Sequence, residues 1–241
     1  MASRSMRWTV RVSVVALAVG VAAPAAWAAT TWKPGPNAAS PTGAIGKNWA
    51  WNYGSALGKL NNGKVSSGYI SDATTPERMY VVNGNVDTGA GTVAWGSSQA
   101  ISPGTINVDR PSLATGITNN NIYATFVTQK HYTLDPTEPR QLRFRAFTGG
   151  AWQPSVNLSS ATGRVDYPVV SGSANQVYVA WTNSNTGQVA LRASTNAGVS
   201  WSAVKTAGTT TRIDPDETAA GTLAAWPGVC SSGSVVAVPF L

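Results

Sequence analysis

One pattern recurs along this 241-residue chain and constrains its fold more than any other. Val108-Asp109-Arg110-Pro111-Ser112 and Val165-Asp166-Tyr167-Pro168-Val169 are copies of one string, and Ala225-Trp226-Pro227-Gly228 opens a third. The prolines stand 57 and 59 residues apart. After each comes a Gly/Asn turn and an apolar run: Asn121–Val127, Gln176–Trp181 and Ser234–Phe240. The next run carries Arg145-Ala146 in one copy and Arg192-Ala193 in another, each closed by Gly-x-x-Trp at Gly149–Trp152 and Gly198–Trp201. Trp95, 57 residues before Trp152, marks a more diverged earlier copy with Arg78–Val82 as its expected second strand. One copy reads as strand, turn, strand, loop, strand, tight turn, strand. Self-similarity at such a period marks an array of small sheets, and a four-stranded unit is one propeller blade.

The hairpin of one copy is especially informative. Ser194-Thr195-Asn196-Ala197-Gly198-Val199-Ser200-Trp201 lies between two alternating runs, Gln188–Ala193 and Ser202–Thr206. Asn bonds its own turn amides and tolerates left-handed backbone, Gly takes positive φ freely, and Trp plugs the corner with apolar surface. The order Ser-x-Asn-x-Gly-x-Ser-Trp resembles the Asp-box of the sialidase (BNR-repeat) superfamily, with Asn196 in the usual Asp position. The resemblance covers roughly Lys59 to the C-terminus. It implies a β-propeller and, since the box lies in turns away from the active site, a structural role for Ser194, Asn196, Gly198 and Trp201. The expected fold is therefore all-β: four-stranded antiparallel blades, about three plus part of a fourth. Val235–Leu241 reads as the second strand of that last unit. The expectation is an incomplete sialidase-like propeller; a closed four-bladed ring is the alternative.

The first 28 residues read separately, as a secretory leader. Arg4, Arg7 and Arg11 precede the apolar stretch Val12–Ala23, and Ala26-Trp27-Ala28 supplies an A-x-A cleavage pattern. That stretch is shorter than the roughly 20 residues a membrane span needs. The expected organisation is a signal peptide over 1–28, an extended lead-in over 29–58 and blades over 59–241, giving an extracellular protein with no span in the mature chain. Three of the 17 basic residues leave with the leader, so the mature balance is +4. Scarcity of acids sets the high pI. Arg140, Arg143 and Arg145 form the basic cluster, without the interleaved aromatics of a nucleic-acid platform, and no nucleic-acid partner is expected. Cys230 is the single cysteine, so no internal disulfide forms.

The candidate chemistry is sparse. The resemblance implies, for an enzyme, an arginine cluster for a substrate carboxylate, a tyrosine nucleophile and a second carboxylate. Its hallmark Phe/Tyr-Arg-Ile-Pro is met here by Val108-Asp109-Arg110-Pro111, which lacks the aromatic and the Ile, and the arginine becomes Tyr167 in the next copy. Arg110 therefore reads as a blade-start residue, and no catalytic role is transferred to it. Arg110, Tyr167 and Trp226 share one repeat position; such blade-entry positions often line a propeller's channel, where aromatics can stack on sugars, and core or blade-to-blade packing is the other reading of them. With Arg78 and Asp72, in a turn before an early strand, they are the ligand-binding candidates. Arg78, Arg110 and Arg164 are the arginines placed near blade-start loops. His131, beside Tyr132 in the long insertion Thr128–Gln141, has no clustered metal ligands. Asp214-x-Asp216-Glu217 offers carboxylates to calcium but lacks the glycine and spacing of an EF-hand loop, so no cofactor or metal is expected. Three functions remain open: a non-catalytic propeller binding extracellular glycan or glycoprotein, an exo-α-sialidase completed by further blades, and a scaffold pairing through its last strand.

Overall fold

The computed structural model describes residues 57–71, 76–116, 118–129, 139–211, 223, 225–232 and 235–240, all within the unit Trp32–Leu241. No helix occurs among them; every regular element is a strand. The first sheet holds β1 (Leu57–Lys59), β2 (Lys64–Ser71), β3 (Arg78–Asp87) and β4 (Thr92–Trp95) in that order, with β5 (Gln99–Ala100) also on β3. The second runs β6 (Asn107–Gly116), β7 (Asn121–Gln129) and β8 (Gln141–Thr148), and its outer rank is split into β9 (Ala151–Trp152) and β10 (Val156–Asn157). The third is β11 (Val165–Ser173), β12 (Gln176–Asn183), β13 (Gln188–Ser194) and β14 (Lys205–Thr209). A hairpin of β15 (Cys230–Ser232) and β16 (Val235–Ala237) follows. Within the sheets all strand pairs are antiparallel, and the first strands of successive sheets lie side by side. These are propeller blades in chain order.

Strand alternation explains why the sheets stack. Successive side chains of a strand point to opposite faces, and all nine residues of β7 are buried. Tyr123 and Val127 join Leu142, Phe144, Val170, Val179 and Trp181 in one core between the second and third sheets. Ile122, Ala124 and Phe126 join Ile70, Met79, Val81 and Leu113 in another between the first and second. Neither core exists without both of its sheets. Burying a side chain the size of Phe144 contributes about 1.5–3 kcal/mol.

The three tryptophans occupy equivalent corners. The residue after each donates its N–H to a third-strand carbonyl: Gly96 to Asn83 at 2.9 Å, Gln153 to Ala146 at 2.8 Å and Ser202 to Ala193 at 2.8 Å. Two third-strand arginines repeat as well. Arg145 donates to Gln153 O (2.7 Å) and reaches back to Ile101 O (2.6 Å); Arg192 donates to Ser202 O (2.8 Å) and Leu158 O (3.1 Å). Each thus ties its own corner to the end of the preceding repeat.

Two expectations need correction. Arg78–Val82 belongs to the third strand of the first blade, because Trp95 pairs with Gly84 on β3. The second strand is β2, whose Ser- and Gly-containing sequence lacks the continuous apolar run of β7 and β12. In the hairpin turn, positive φ falls on Ala197 (57°) and Gly198 (89°) rather than on Asn196. Asn196 closes the turn through its side chain, accepting from Ser200 N at 2.9 Å and donating to Ser200 Oγ at 2.8 Å. Ser194 Oγ accepts from Gly198 N (2.9 Å), and the Trp201 indole donates to Gly198 O (3.0 Å).

A Cβ on Gly198 would run into the Phe144 ring of the neighbouring blade, whereas at Gly149 (φ 60°) it would meet nothing within 4 Å. Gly149→Ala should therefore cost about 1 kcal/mol, the backbone term alone, and Gly198→Ala about 2–4 kcal/mol. Urea unfolding of the two variants checks the difference; equal costs would contradict the inter-blade contact.

Candidate functional site

The repeated Asp-x-Pro string builds an irregularity at the same place in successive inner strands. The ladder shifts register between Asp109 and Ser112 on β6, and between Asp166 and Val169 on β11. A bulge suits this string because proline has no N–H to contribute to a ladder. The residue before each proline takes left-handed backbone: φ is 51° at Arg110, 52° at Tyr167 and 35° at Trp226. Such values are uncommon for residues with a Cβ, and for bulky ones they are strained.

The two bulges and the equivalent Ala225-Trp226-Pro227 segment bring the three side chains into one row. The Arg110 guanidinium carbon lies 4.3 Å from the centre of the Tyr167 ring, a cation–π contact. The Tyr167 and Trp226 rings meet edge to face with centroids 6.0 Å apart. Arg110 and Tyr167 are buried and Trp226 is half-buried. Three of the ligand-binding candidates therefore stand together. Arg78 bonds Ser102 O at 3.1 Å at the head of β3. Asp72, His131, Tyr132, Asp214, Asp216 and Glu217 lie outside the described residues.

Beside this row lies a buried ionic cluster. Asp166, fully inaccessible, accepts from Arg140 Nη1 at 2.7 Å and pairs with Arg110 Nε at 2.9 Å, both on Oδ1. Its Oδ2 accepts from the Ser184 hydroxyl and lies 3.7 Å from Arg164 Nε. Arg110, Arg140 and Arg164 are each about 5% exposed or less. Backbone bonds hold the arms: Arg140 N to Gly163 O (3.1 Å), Val165 N to Arg140 O (3.2 Å) and Ser184 N to Arg164 O (3.0 Å). Burial alone would raise the Asp166 pKa. Arg110 and Arg140, then the Ser184 hydrogen bond and Arg164, outweigh it and hold the carboxyl below its usual range. Asp109, at the equivalent repeat position, is partly exposed; it accepts from Arg110 N at 2.7 Å and lies 4.0 Å from Arg110 Nε.

Sequence reasoning grouped Arg140 with Arg143 and Arg145. The structure separates them: Arg143 bonds Gln141 Oε1 at 3.0 Å, and Arg145 serves the blade seam. Arg140 precedes β8 and turns to the next blade, where Arg164 and Asp166 meet it. The run of strand alternation, which excludes Arg140, was the available signal. Away from this cluster, a groove of about 510 Å³ runs between the Thr148–Gly149 hairpin and the Ala197–Val199 turn, over Phe144. Among the described residues no group of three His, Cys, Asp or Glu stands together as metal ligands, and no helix is long and apolar enough to cross a membrane.

No protein-family model matches the chain, and no curated protein matches it significantly. Among solved structures, it is similar to the Hadza microbial sialidase Hz136, with 11% identity, 66% of this chain and 47% of that one covered, and a TM-score of 0.35. It is also similar to the Bombyx mori GH32 beta-fructofuranosidase BmSUC1, with 12% identity, 77% and 40% coverage, and a TM-score of 0.46. The sheets have the antiparallel, largely four-stranded form of propeller blades. The chain spans less than half the length of either protein.

Asp166→Asn should destabilise the fold by about 3–5 kcal/mol, because it leaves buried guanidinium groups without their anion. Since the folded pKa is depressed, the carboxylate's contribution is complete above the unfolded value of about 3.9 and is lost as pH falls through the lower folded value. Urea midpoints measured from neutral pH into this acid range should drop steeply below about pH 4 for the parent and more gently for Asp166→Asn. Parallel profiles would contradict the cluster.

Proposed function

We propose that this chain is a secreted, sialidase-like propeller that binds extracellular glycan or glycoprotein without cleaving it. The ligand is met where Arg110, Tyr167 and Trp226 form their row, with Arg78 and Asp72 as the further candidates read from the sequence. The observation that carries this reading is the recurrence of left-handed backbone under three bulky, different side chains that touch one another. A cheaper residue such as Gly or Asn would suit that backbone, so retention of Arg, Tyr and Trp favours a ligand-facing purpose. Aromatic rings with a cation beside them suit the apolar faces and hydroxyls of sugars. Residues 1–28 act as the leader that delivers the chain to the exterior.

The convergence of Arg110, Arg140 and Arg164 favours one second reading, an exo-α-sialidase whose remaining catalytic groups lie in further blades. A fluorogenic sialoside assay and a glycan array separate the two. The expected results are no turnover above blank, and array binding that falls about tenfold, a loss of some 1.4 kcal/mol, in Trp226→Ala. Sialoside turnover abolished by Arg110→Ala would establish the enzyme instead. N-terminal sequencing of the exported protein should begin at Ala29; an exported chain retaining Met1 would contradict the leader.

A further inference from the structure

The sequence holds two Asn-Gly pairs, Asn62-Gly63 and Asn83-Gly84, and the fold treats them differently. Asn62 and Gly63 lie in the exposed turn between β1 and β2. Gly63 has left-handed backbone, with φ of 76°, and a Cβ on it would meet nothing within 4 Å. Among the described residues none accepts a hydrogen bond from Gly63 N. Asn62 Oδ1 accepts from Lys64 N at 3.2 Å, a local turn bond that polarises the carboxamide toward attack. We propose that Asn62-Gly63 is a self-modification site, at which the Gly63 nitrogen attacks the Asn62 side chain and converts it to an acid.

The bond from Gly63 N to Asn62 Cγ forms as the bond from Cγ to the side-chain nitrogen breaks. Water carries the Gly63 proton to that nitrogen, which leaves as ammonia, and a cyclic imide remains. A further water molecule then opens the ring. Addition at Cγ restores the main chain with an aspartate; addition at the main-chain carbonyl leaves the chain running through Cβ and Cγ, as isoaspartate. Water is the sole co-reactant, and nothing is oxidised or reduced. Glycine suits the attack because it sets no side chain against the carboxamide and its backbone turns freely.

Asn83-Gly84 is the internal control. It lies within β3, where Gly84 pairs with Val65 on one side and Trp95 on the other. Asn83 O accepts from Gly96 N at 2.9 Å, and Asn83 Oδ1 accepts from the Ser66 hydroxyl. Closing an imide there would break both ladders. At Asn62 the cost falls on a joint instead. Asn62 N donates to Asn120 Oδ1 of the next blade at 3.3 Å, Leu60 N closes the hairpin on Lys64 O at 2.8 Å, and Leu60 is buried in the core between the first two sheets. Isoaspartate adds a main-chain atom to this hairpin and loosens the first blade from the second.

The test is to warm the folded full chain at mildly alkaline pH, digest it after lysine and arginine, and follow the two pairs, which fall in different peptides, by mass spectrometry. Asn62 should gain the mass of an acid at least about tenfold faster than Asn83, a barrier difference of some 1.4 kcal/mol. In concentrated urea, where no strand protects Asn83, the two rates should converge. Equal rates in the folded protein would overturn the proposal, as would a folded chain that keeps the Asn62 amide while the unfolded chain loses it. Asn62→Gln, whose longer side chain must close a larger ring, should keep its amide and its urea midpoint through the same treatment, while the midpoint of the treated parent falls. A converted parent with an unchanged midpoint would overturn the loosening of the joint.

Discussion

The faces between neighbouring sheets carry this structure. A four-stranded antiparallel sheet usually keeps one face in water, but β7 is buried on both. Its alternate residues belong to different cores, one shared with the sheet before and one with the sheet after. Such a strand has no stable existence in an isolated blade. The polar contacts follow the same seams. Arg145 and Arg192 end on carbonyls of the preceding repeat, Thr115 donates to Lys59 O at 2.6 Å, and the Ser112 hydroxyl accepts from Val170 N at 3.2 Å. Buried polar groups are thereby satisfied across the boundary.

The inner-strand bulges turn this packing into a site. Left-handed backbone at a bulky residue costs of order 1–3 kcal/mol and persists where the surroundings over-determine it. Here the surroundings are a following proline in each copy, a preceding aspartate at Arg110 and Tyr167, and packed blades behind. The equivalent aspartates diverge in use: Asp109 stays local to Arg110, whereas Asp166 becomes the anion at which three segments of two blades meet. The arrangement spends an arginine cluster on internal architecture and leaves an aromatic row beside it.

Much of the blade pattern was legible in the sequence, and the reason is local. Proline starts, apolar runs and Gly-x-x-Trp corners express turn chemistry and alternation, which act within a few residues. The equivalence of Arg110, Tyr167 and Trp226 followed from the same register, and the structure gives all three the same unusual backbone. The first blade was misread by one strand because β2 mixes Ser and Gly with its apolar residues and because the copy has no proline start to mark it. The Asp166 cluster was illegible for a different reason. Its members come from four segments, around 110, 140, 164–166 and 184, and only closed packing of two blades brings them all within bonding distance. Proximity in sequence pointed to Arg143 and Arg145 as companions of Arg140, and strand alternation sends them elsewhere.

A double-mutant cycle on Arg140 and Asp166, read by urea unfolding at neutral pH, tests most directly whether adjacent blades are locked through this buried carboxylate. The structure requires Arg140→Gln and Asp166→Asn to be coupled by at least about 1.5 kcal/mol, since each residue's contribution depends on the other. Energies that add to within about 0.5 kcal/mol would mean that the two do not meet, and the joint between the blades would have to lie elsewhere.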